Sequence, residues 1–239
     1  MNSSYILTEV METKNIINKI ALVIFAGFKF ICDRLLAIIG LIVASPIMLI
    51  IAIAIKLDSK GSILFKQERT GKDGKNFYIY KFRTMVQSND VHDFSKQDKH
   101  TRVGKILRKT SLDELPQLFS IAIGKMSFIG PRPWIPDYYE NMNERQRQRN
   151  AVRPGLTGLA QCMGRNGISI FQKINYDIEY IENYSLKQDL KIIFLTIKTV
   201  ITGSGADAGK NTIKNELYEL STQDIPVDEI KKALEEQNA

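Results

Sequence analysis

Cysteine and histidine are scarce in this chain, with two of each among 239 residues. Cys32 and Cys162 stand far apart, so the sequence offers neither a disulfide framework nor metal-ligand spacing. Reduced thiols in a cytoplasmic setting are the simplest account. Both histidines, His92 and His100, fall in one polar stretch, residues 88–101. No helical Cys/His cluster suggests zinc, and no Ser-His-Asp set is evident. Gly-x-Ser-x-Gly does not occur, and there is no glycine-rich phosphate loop of the Walker type. There is no internal repeat and no low-complexity tract. The balance is basic, with 33 Lys and Arg against 26 Asp and Glu and a net charge of +7. That charge comes without an aromatic stacking ladder, which speaks against nucleic acid. An anionic membrane surface or a phosphate-bearing substrate suits it better.

Charge of either sign is missing from residues 35–55, an apolar run broken at its centre by Ser45-Pro46. A straight helix of that length would measure roughly 31 Å, enough to cross a bilayer core of about 30 Å. Proline removes a backbone donor and leaves the Ile42 carbonyl without its partner, so the helix should bend there. Ser45 can offset part of the loss by bonding back to the carbonyl four residues earlier. Lys14, Lys19, Lys29 and Arg34 precede the run; Lys56, Lys60, Lys66, Arg69, Lys72 and Lys75 follow it. A single crossing leaves one flank richer in Lys and Arg. Two basic flanks favour a helix that dips in and returns, although a proline-kinked transmembrane anchor fits the composition too. A secretory signal peptide does not, because the run is too long and no small-residue cleavage site follows.

The expected fold class is α+β and mostly helical: a re-entrant broken membrane helix plus a compact cytoplasmic domain with a small β-hairpin. Residues 1–27 read as an N-terminal extension, with a possible interfacial helix over 20–28. Residues 28–57 form the membrane helix-break-helix, 58–203 the catalytic domain and 204–239 a polar tail with a short helix near 227–236. Strands are predicted at 62–66 and 76–82, joined through Gly71-Lys72-Asp73-Gly74. Residues 88–101 read as loop, 105–123 as a helix starting at Ser111, and 138–150 as an exposed charged helix. Gly130-Pro131-Arg132-Pro133-Trp134 is a rigid turn, residues 153–166 are loop, and helices are predicted at 169–184 and 186–201.

Chemistry concentrates in Ser111-Leu112-Asp113-Glu114-Leu115-Pro116-Gln117. Ser111 with Glu114 matches a capping box, and a carboxylate in a first helical turn is favoured by the dipole alone. The same geometry also suits a functional site. A helix start offers free amide hydrogens to phosphate, and an ionised Asp113 can serve as nucleophile or magnesium ligand. Cations surround the pair in the sequence: Arg69, Lys81, Arg83, Arg108, Arg132, Arg153 and Arg165. Each alone reads as a solvated surface charge. Arg132 stands out, because prolines on both sides pre-order a bidentate phosphate donor.

Taken together, the blocks resemble one family. They are Cys32-Asp33-Arg34, the run with Ser45-Pro46, Gln67-Glu68-Arg69-Thr70-Gly71, Lys81-Phe82-Arg83-Thr84-Met85, the Ser111–Gln117 block, Gly130-Pro131-Arg132-Pro133 and Arg153-Pro154-Gly155-Leu156-Thr157-Gly158-Leu159-Ala160-Gln161. The chain is similar, over residues 28–203, to the bacterial sugar transferases, the small monotopic polyprenol-phosphate phosphoglycosyl transferases. The resemblance implies transfer of a sugar 1-phosphate from a UDP-sugar to undecaprenyl phosphate with release of UMP, a first membrane step of glycan assembly. It implies a re-entrant helix broken at Ser45-Pro46 and placement on the cytoplasmic face of the bacterial inner membrane. It implies Asp113 as the nucleophile of a covalent phosphosugar-aspartate and Glu114 as a partner for Mg2+ or for the proton balance, with Asp113 and Glu114 as metal ligands. Arg132, Arg108, Arg83, Lys81 and Arg69 become the expected phosphate-binding set. Partners would be the UDP-sugar, the lipid phosphate, the membrane and downstream glycosyltransferases. The family often has Trp where Leu159 stands, which implies local repacking. The chain looks like a minimal catalytic form without the extra membrane helices of longer members. Direct attack by the lipid phosphate in a ternary complex is the rival mechanism, and a membrane-bound scaffold for glycan enzymes the rival function.

Overall fold

The computed structural model describes residues 3–86, 100–164, 168–202 and 213–221. His92, Arg165 and the helix expected near 227–236 lie outside them. The architecture is mostly helical with small two-stranded sheets, α+β as expected. In chain order the elements are α1 (Ser3–Asp58), β1 (Leu64–Thr70), β2 (Asn76–Phe82), α2 (Arg102–Thr110), α3 (Gln117–Ala122), β3 (Ser127–Ile129), α4 (Pro136–Glu140), α5 (Glu144–Arg147), β4 (Gly155–Thr157), α6 (Leu159–Met163), α7 (Ile170–Glu182), α8 (Leu186–Thr202) and α9 (Ile213–Ser221). β1 pairs with β2 and β3 with β4. The β1–β2 turn runs through Asp73 and Gly74, both at positive φ, as the Asp-Gly pair predicts.

Two compact units divide the chain. The first holds Met1–Glu68, Phe77–Phe128 and Tyr184–Asp189; the second holds Arg69–Asn76, Ile129–Asn183 and Leu190–Ala239.

In the first unit α1 is long and apolar enough to cross a membrane over Ile20–Asp58. Most of its large apolar side chains stay exposed along that length, Val23, Ile31, Ile42, Val43 and Ile50 among them. At Ser45-Pro46, the expected break, α1 keeps helical structure through Pro46. The physical reason is local. Pro46 cannot donate to the Ile42 carbonyl, and the Ser45 hydroxyl donates to that same oxygen at 2.8 Å. The carbonyl is therefore satisfied, and nothing forces the helix to end.

Lys29, Asp33 and Arg34 of α1 point toward protein. Lys29 Nζ pairs with Asp189 Oδ2 at 2.7 Å, and the Ser127 hydroxyl donates to Asp33 Oδ2 at 2.6 Å. Arg34 Nε donates to the Ala122 carbonyl at 3.0 Å. Beyond Pro46, Ile51 and Ile55 share a buried cluster with Phe82 and Leu107. One unit thus grips α1 on both sides of Pro46, through polar contacts before it and apolar contacts after it.

The second unit is built around Trp134, Tyr138, Met142, Ile170, Ile174, Ile178 and Leu220, drawn from the Gly-Pro-Arg-Pro-Trp turn, α4, α7 and α9. Arg149 is buried within it. Its Nη2 donates to Asp177 Oδ2 and to the Arg132 carbonyl, each at 2.7 Å, and its guanidinium stacks 3.8 Å over the Trp134 ring. Ser169 and Gln172 form a capping box at the start of α7. α9 docks through the Tyr138 hydroxyl, which donates to Glu216 Oε2 at 2.6 Å. Burial, then that bond, push the Tyr138 phenol well above its ordinary range.

Two sequence expectations change in this unit. Residues 138–150 are α4, α5 and a 3-10 turn, Gln148–Asn150, with Tyr138, Met142 and Arg149 buried. The chain breaks there because the Asn143 side chain caps a new helix start at Gln146 N. Residues 153–166, read as loop, contain β4 and α6; Gly130 N–H donates to the Thr157 carbonyl and Gly155 N–H to the Pro131 carbonyl. Tertiary pairing supplies a strand that local sequence did not specify.

Arg83 closes α1. It is only 6% exposed, and it donates at 2.8 Å to the carbonyls of Ser59 and Lys60 and to the Ser59 hydroxyl. Both carbonyls follow Asp58, the last residue of α1, and Nη2 also reaches the Ile55 carbonyl in the last turn at 3.5 Å; a cation at this helix end is favoured by the dipole. Arg83→Ala is expected to cost about 2 kcal/mol, with Arg83→Lys recovering part of it. Thermal or urea unfolding of the detergent-solubilised protein measures the loss, and an unchanged midpoint in Arg83→Ala contradicts this role.

Candidate active site

The central block of the sequence lies on a short turn between two helices. Ser111 sits in the left-handed region at φ 57, and its N–H donates to the Arg108 carbonyl, so it ends α2. The 3-10 turn Leu112–Glu114 follows, and Pro116 opens α3. The capping box expected for Ser111 and Glu114 is therefore corrected: Ser111 makes no side-chain cap bond. In the left-handed conformation its side chain turns away from the following amides. The helix expected over 105–123 is correspondingly two helices with this turn between them.

The turn carries both carboxylates. Leu112 and Leu115 anchor it against the cluster of Ile51, Ile55, Phe82 and Leu107. Asp113 and Glu114 are each half-buried. Lys81, near the end of β2, bridges to Glu114 Oε1 at 2.5 Å. Burial pushes the Asp113 carboxyl above its ordinary range and the Glu114 charge adds to this, while Lys81 and Arg108 pull it back. The site therefore holds a carboxylate that is costly to ionise, beside two cations that favour ionisation.

The structure sorts the expected phosphate-binding residues. Lys81 and Arg108 act on the Asp113–Glu114 turn. Arg83 does not serve as expected: it is buried against the end of α1, where the carbonyls of Ser59 and Lys60 take its hydrogens. Arg69 and Arg132 belong to the second unit. There Arg69 Nη1 donates to the Pro133 carbonyl at 3.3 Å, while Arg132 is exposed on its proline-bounded turn and accepts from Arg149 through its carbonyl. Leu159, at the position of the family's frequent Trp, is buried at the start of α6.

Sequence reasoning missed one neighbour. His100, read as loop, forms a bridge with Met85 and places Nε2 2.9 Å from Arg108 Nη1. Its spacing of eight residues from Arg108 is the only trace in the sequence, and it says nothing without the turn of α2. Around the site α2 and α3 expose Ile106, Phe119 and Ile123.

Among the described residues no three His, Cys, Asp or Glu side chains converge as a metal site. Two adjacent carboxylates suit a Mg2+ ion that takes most of its remaining ligands from water and substrate phosphates; they do not make an all-protein cage.

The raised Asp113 carboxyl has a stability consequence. A carboxyl whose folded pKa lies above its unfolded value binds its proton more tightly when folded, so folding loses stability as pH rises through that window. Asp113→Asn is thus expected to raise the melting temperature at pH 7.5. The gain disappears below the ordinary carboxylate range, where both states are protonated. A melting-temperature series of both proteins from pH 3 to 8 checks the sign; a variant less stable at pH 7.5 contradicts it.

Comparison with known proteins gives the following. The family model described as bacterial sugar transferase matches residues 24–203. A UDP-glucose:undecaprenyl-phosphate glucose-1-phosphate transferase of Klebsiella pneumoniae is 44% identical over 182 residues, covering 71% of this chain and 39% of that protein. A UDP-N-acetylgalactosamine-undecaprenyl-phosphate N-acetylgalactosaminephosphotransferase of Aeromonas hydrophila is 42% identical over 193 residues, 77% of this chain and 46% of that protein. An uncharacterized sugar transferase, EpsL, of Bacillus subtilis (strain 168) is 40% identical over 179 residues, 74% of this chain and 89% of that protein. The chain spans less than half the length of the first two.

Proposed function

The chain belongs to the bacterial sugar transferase family, and from that premise we propose that it is a phosphoglycosyl transferase that moves a sugar 1-phosphate from a UDP-sugar to undecaprenyl phosphate and releases UMP. The observation that carries this reading is the Asp113–Glu114 turn with Lys81 and Arg108 against it. Relatives named for glucose and for N-acetylgalactosamine match equally well, so the sugar is left to the assay.

Asp113 is the nucleophile. Its carboxylate oxygen attacks the sugar-bearing phosphorus, the phosphorus–oxygen bond to UMP breaks, and the electron pair leaves with UMP. The aspartyl phosphosugar is then attacked at the same phosphorus by an oxygen of the lipid phosphate, which restores the carboxylate. Lys81 and Arg108 favour the ionised form of Asp113 against its burial and offset charge on the moving phosphoryl group. Glu114 and the neighbouring Asp113 would hold a Mg2+ ion, which would supply further charge neutralisation when bound. Lys81 fixes Glu114 in place.

Membrane placement supports the same reading. α1 exposes an apolar surface that associates with lipid, and a site beside exposed Ile106, Phe119 and Ile123 is suited to the headgroup layer. Contacts from one unit to α1 before and after Pro46 support the re-entrant reading, in which both ends of the apolar run share the cytoplasmic face. A proline can turn a helix axis without ending the helix.

Two measurements test the proposal. Asp113→Asn is expected to lower UMP release by a factor of about 10³ or more with membrane localisation unchanged, measured over a panel of UDP-sugars with undecaprenyl phosphate and magnesium. Wild-type protein given labelled UDP-sugar without lipid is expected to retain label on Asp113 by mass spectrometry. Turnover without trapped label favours direct attack by the lipid, and a fully active Asp113→Asn removes the nucleophile altogether. For topology, a cysteine placed at the N-terminus is expected to react only with reagents that reach the cytoplasm; labelling from the periplasm rejects same-side placement.

A further inference from the structure

We infer that His100 is a positioning residue that holds Arg108 toward the Asp113 turn only while its imidazole is neutral, an inference that rests on the transferase reading of that turn. The two ring nitrogens face opposite kinds of partner. Nδ1 lies 3.3 Å from the Thr84 carbonyl oxygen, which can only accept. Nε2 lies 2.9 Å from Arg108 Nη1, and a guanidinium can only donate. These partners assign one state: hydrogen on Nδ1, lone pair on Nε2, charge zero. A second proton would stand on Nε2 facing an N–H of Arg108, donor against donor and cation against cation. Protonation of His100 and the observed seat of Arg108 exclude each other.

The seat is rigid enough for this to matter. His100 bridges to Met85, and the Thr101 N–H donates to the same Thr84 carbonyl at 3.1 Å. The Thr101 hydroxyl accepts from Gly104 N at 2.9 Å and caps α2. Gly104 is required there, because a Cβ would overlap the Thr84 backbone. Thr84, His100 and the start of α2 therefore form one fixed assembly, and Arg108 reaches back two turns along α2 to meet it.

The charged surroundings on each packed element are these. From α2 come Arg102, Lys105, Arg108 and Lys109. From the end of α1 comes Asp58, whose Oδ2 accepts from Val103 N at 3.0 Å and which feels Arg102 and Arg83. Arg108 also acts on the Asp113 carboxyl, together with Glu114 and Lys81. Arg108 is the group in this set that both His100 and Asp113 address. A neutral His100 adds an acceptor to Arg108 without adding charge; a charged one repels it from a seat where it favours the Asp113 carboxylate.

The test compares wild type, His100→Gln and His100→Leu by UMP release between about pH 5 and 8, the range in which imidazoles change charge. Glutamine keeps an acceptor within reach of Arg108 and does not titrate; leucine has no acceptor. At pH 8, kcat/KM of His100→Leu is expected to fall about fivefold, the scale of one exposed hydrogen bond to a charged group, with His100→Gln restoring most of it. On acidification the wild type should lose about fivefold more rate than His100→Gln. Superimposed pH profiles of wild type and His100→Gln overturn the inference, as does an unimpaired His100→Leu. Should no UDP-sugar turn over, the transferase reading fails on its own, and nitrogen-15 NMR of the imidazoles still decides this one. An Nδ1–H tautomer for His100 at pH 8 that is lost in Arg108→Met is expected; an Nε2–H or a protonated ring at pH 8 overturns it.

Discussion

An apolar helix that carries Lys29, Asp33 and Arg34 can meet lipid on one side only if the other side satisfies those charges. Uncompensated, each would cost several kcal/mol in a low-dielectric setting. Asp189, Ser127 and the Ala122 carbonyl supply the partners, and they come from distant parts of the chain. The charges therefore select which face of α1 is protein and which is membrane. At the other end Arg83 satisfies carbonyls of Ser59 and Lys60. Between the two, only apolar packing and the Ser45 hydroxyl are needed to keep the helix continuous.

That constraint also sets where the reactive carboxylates stand. The cluster that receives Ile51 and Ile55 includes Leu112 and Leu115, so the helix that enters lipid and the turn bearing Asp113 share a packing surface. Burial from this packing raises the cost of ionising Asp113, and Lys81 and Arg108 oppose it. Lys81 is bonded to Glu114 and Arg108 to His100, so the cations nearest Asp113 each have another partner.

Much of this was legible in the sequence. The charge-free run of residues 35–55 announced a lipid-facing helix, Gly71-Lys72-Asp73-Gly74 a hairpin, and helical spacing the helices at 169–184 and 186–201. Other signals were equivocal because one pattern serves two geometries. Ser111 and Glu114 have capping-box spacing, but Ser111 adopts the left-handed conformation and ends a helix instead of starting one. Arg83 looks like any loop cation; only the meeting of β2 with the end of α1 shows that carbonyls and not phosphate take its hydrogens. Ser45-Pro46 marks a missing backbone bond, and the sequence does not say whether the serine or a break will compensate for it.

What the sequence determined by itself is what depends on neighbours within a few residues: the apolar helix, the hairpin turn and the ordered blocks that carry the family. What only the tertiary structure decided is how the charges are assigned to one another. Coulomb attraction and hydrogen bonding depend on distance in space, and Lys29 with Asp189, Lys81 with Glu114 and Arg149 with Asp177 become neighbours only after the chain has packed. The same cations written along the chain could serve substrate, helix end or core; the fold divides them among those tasks.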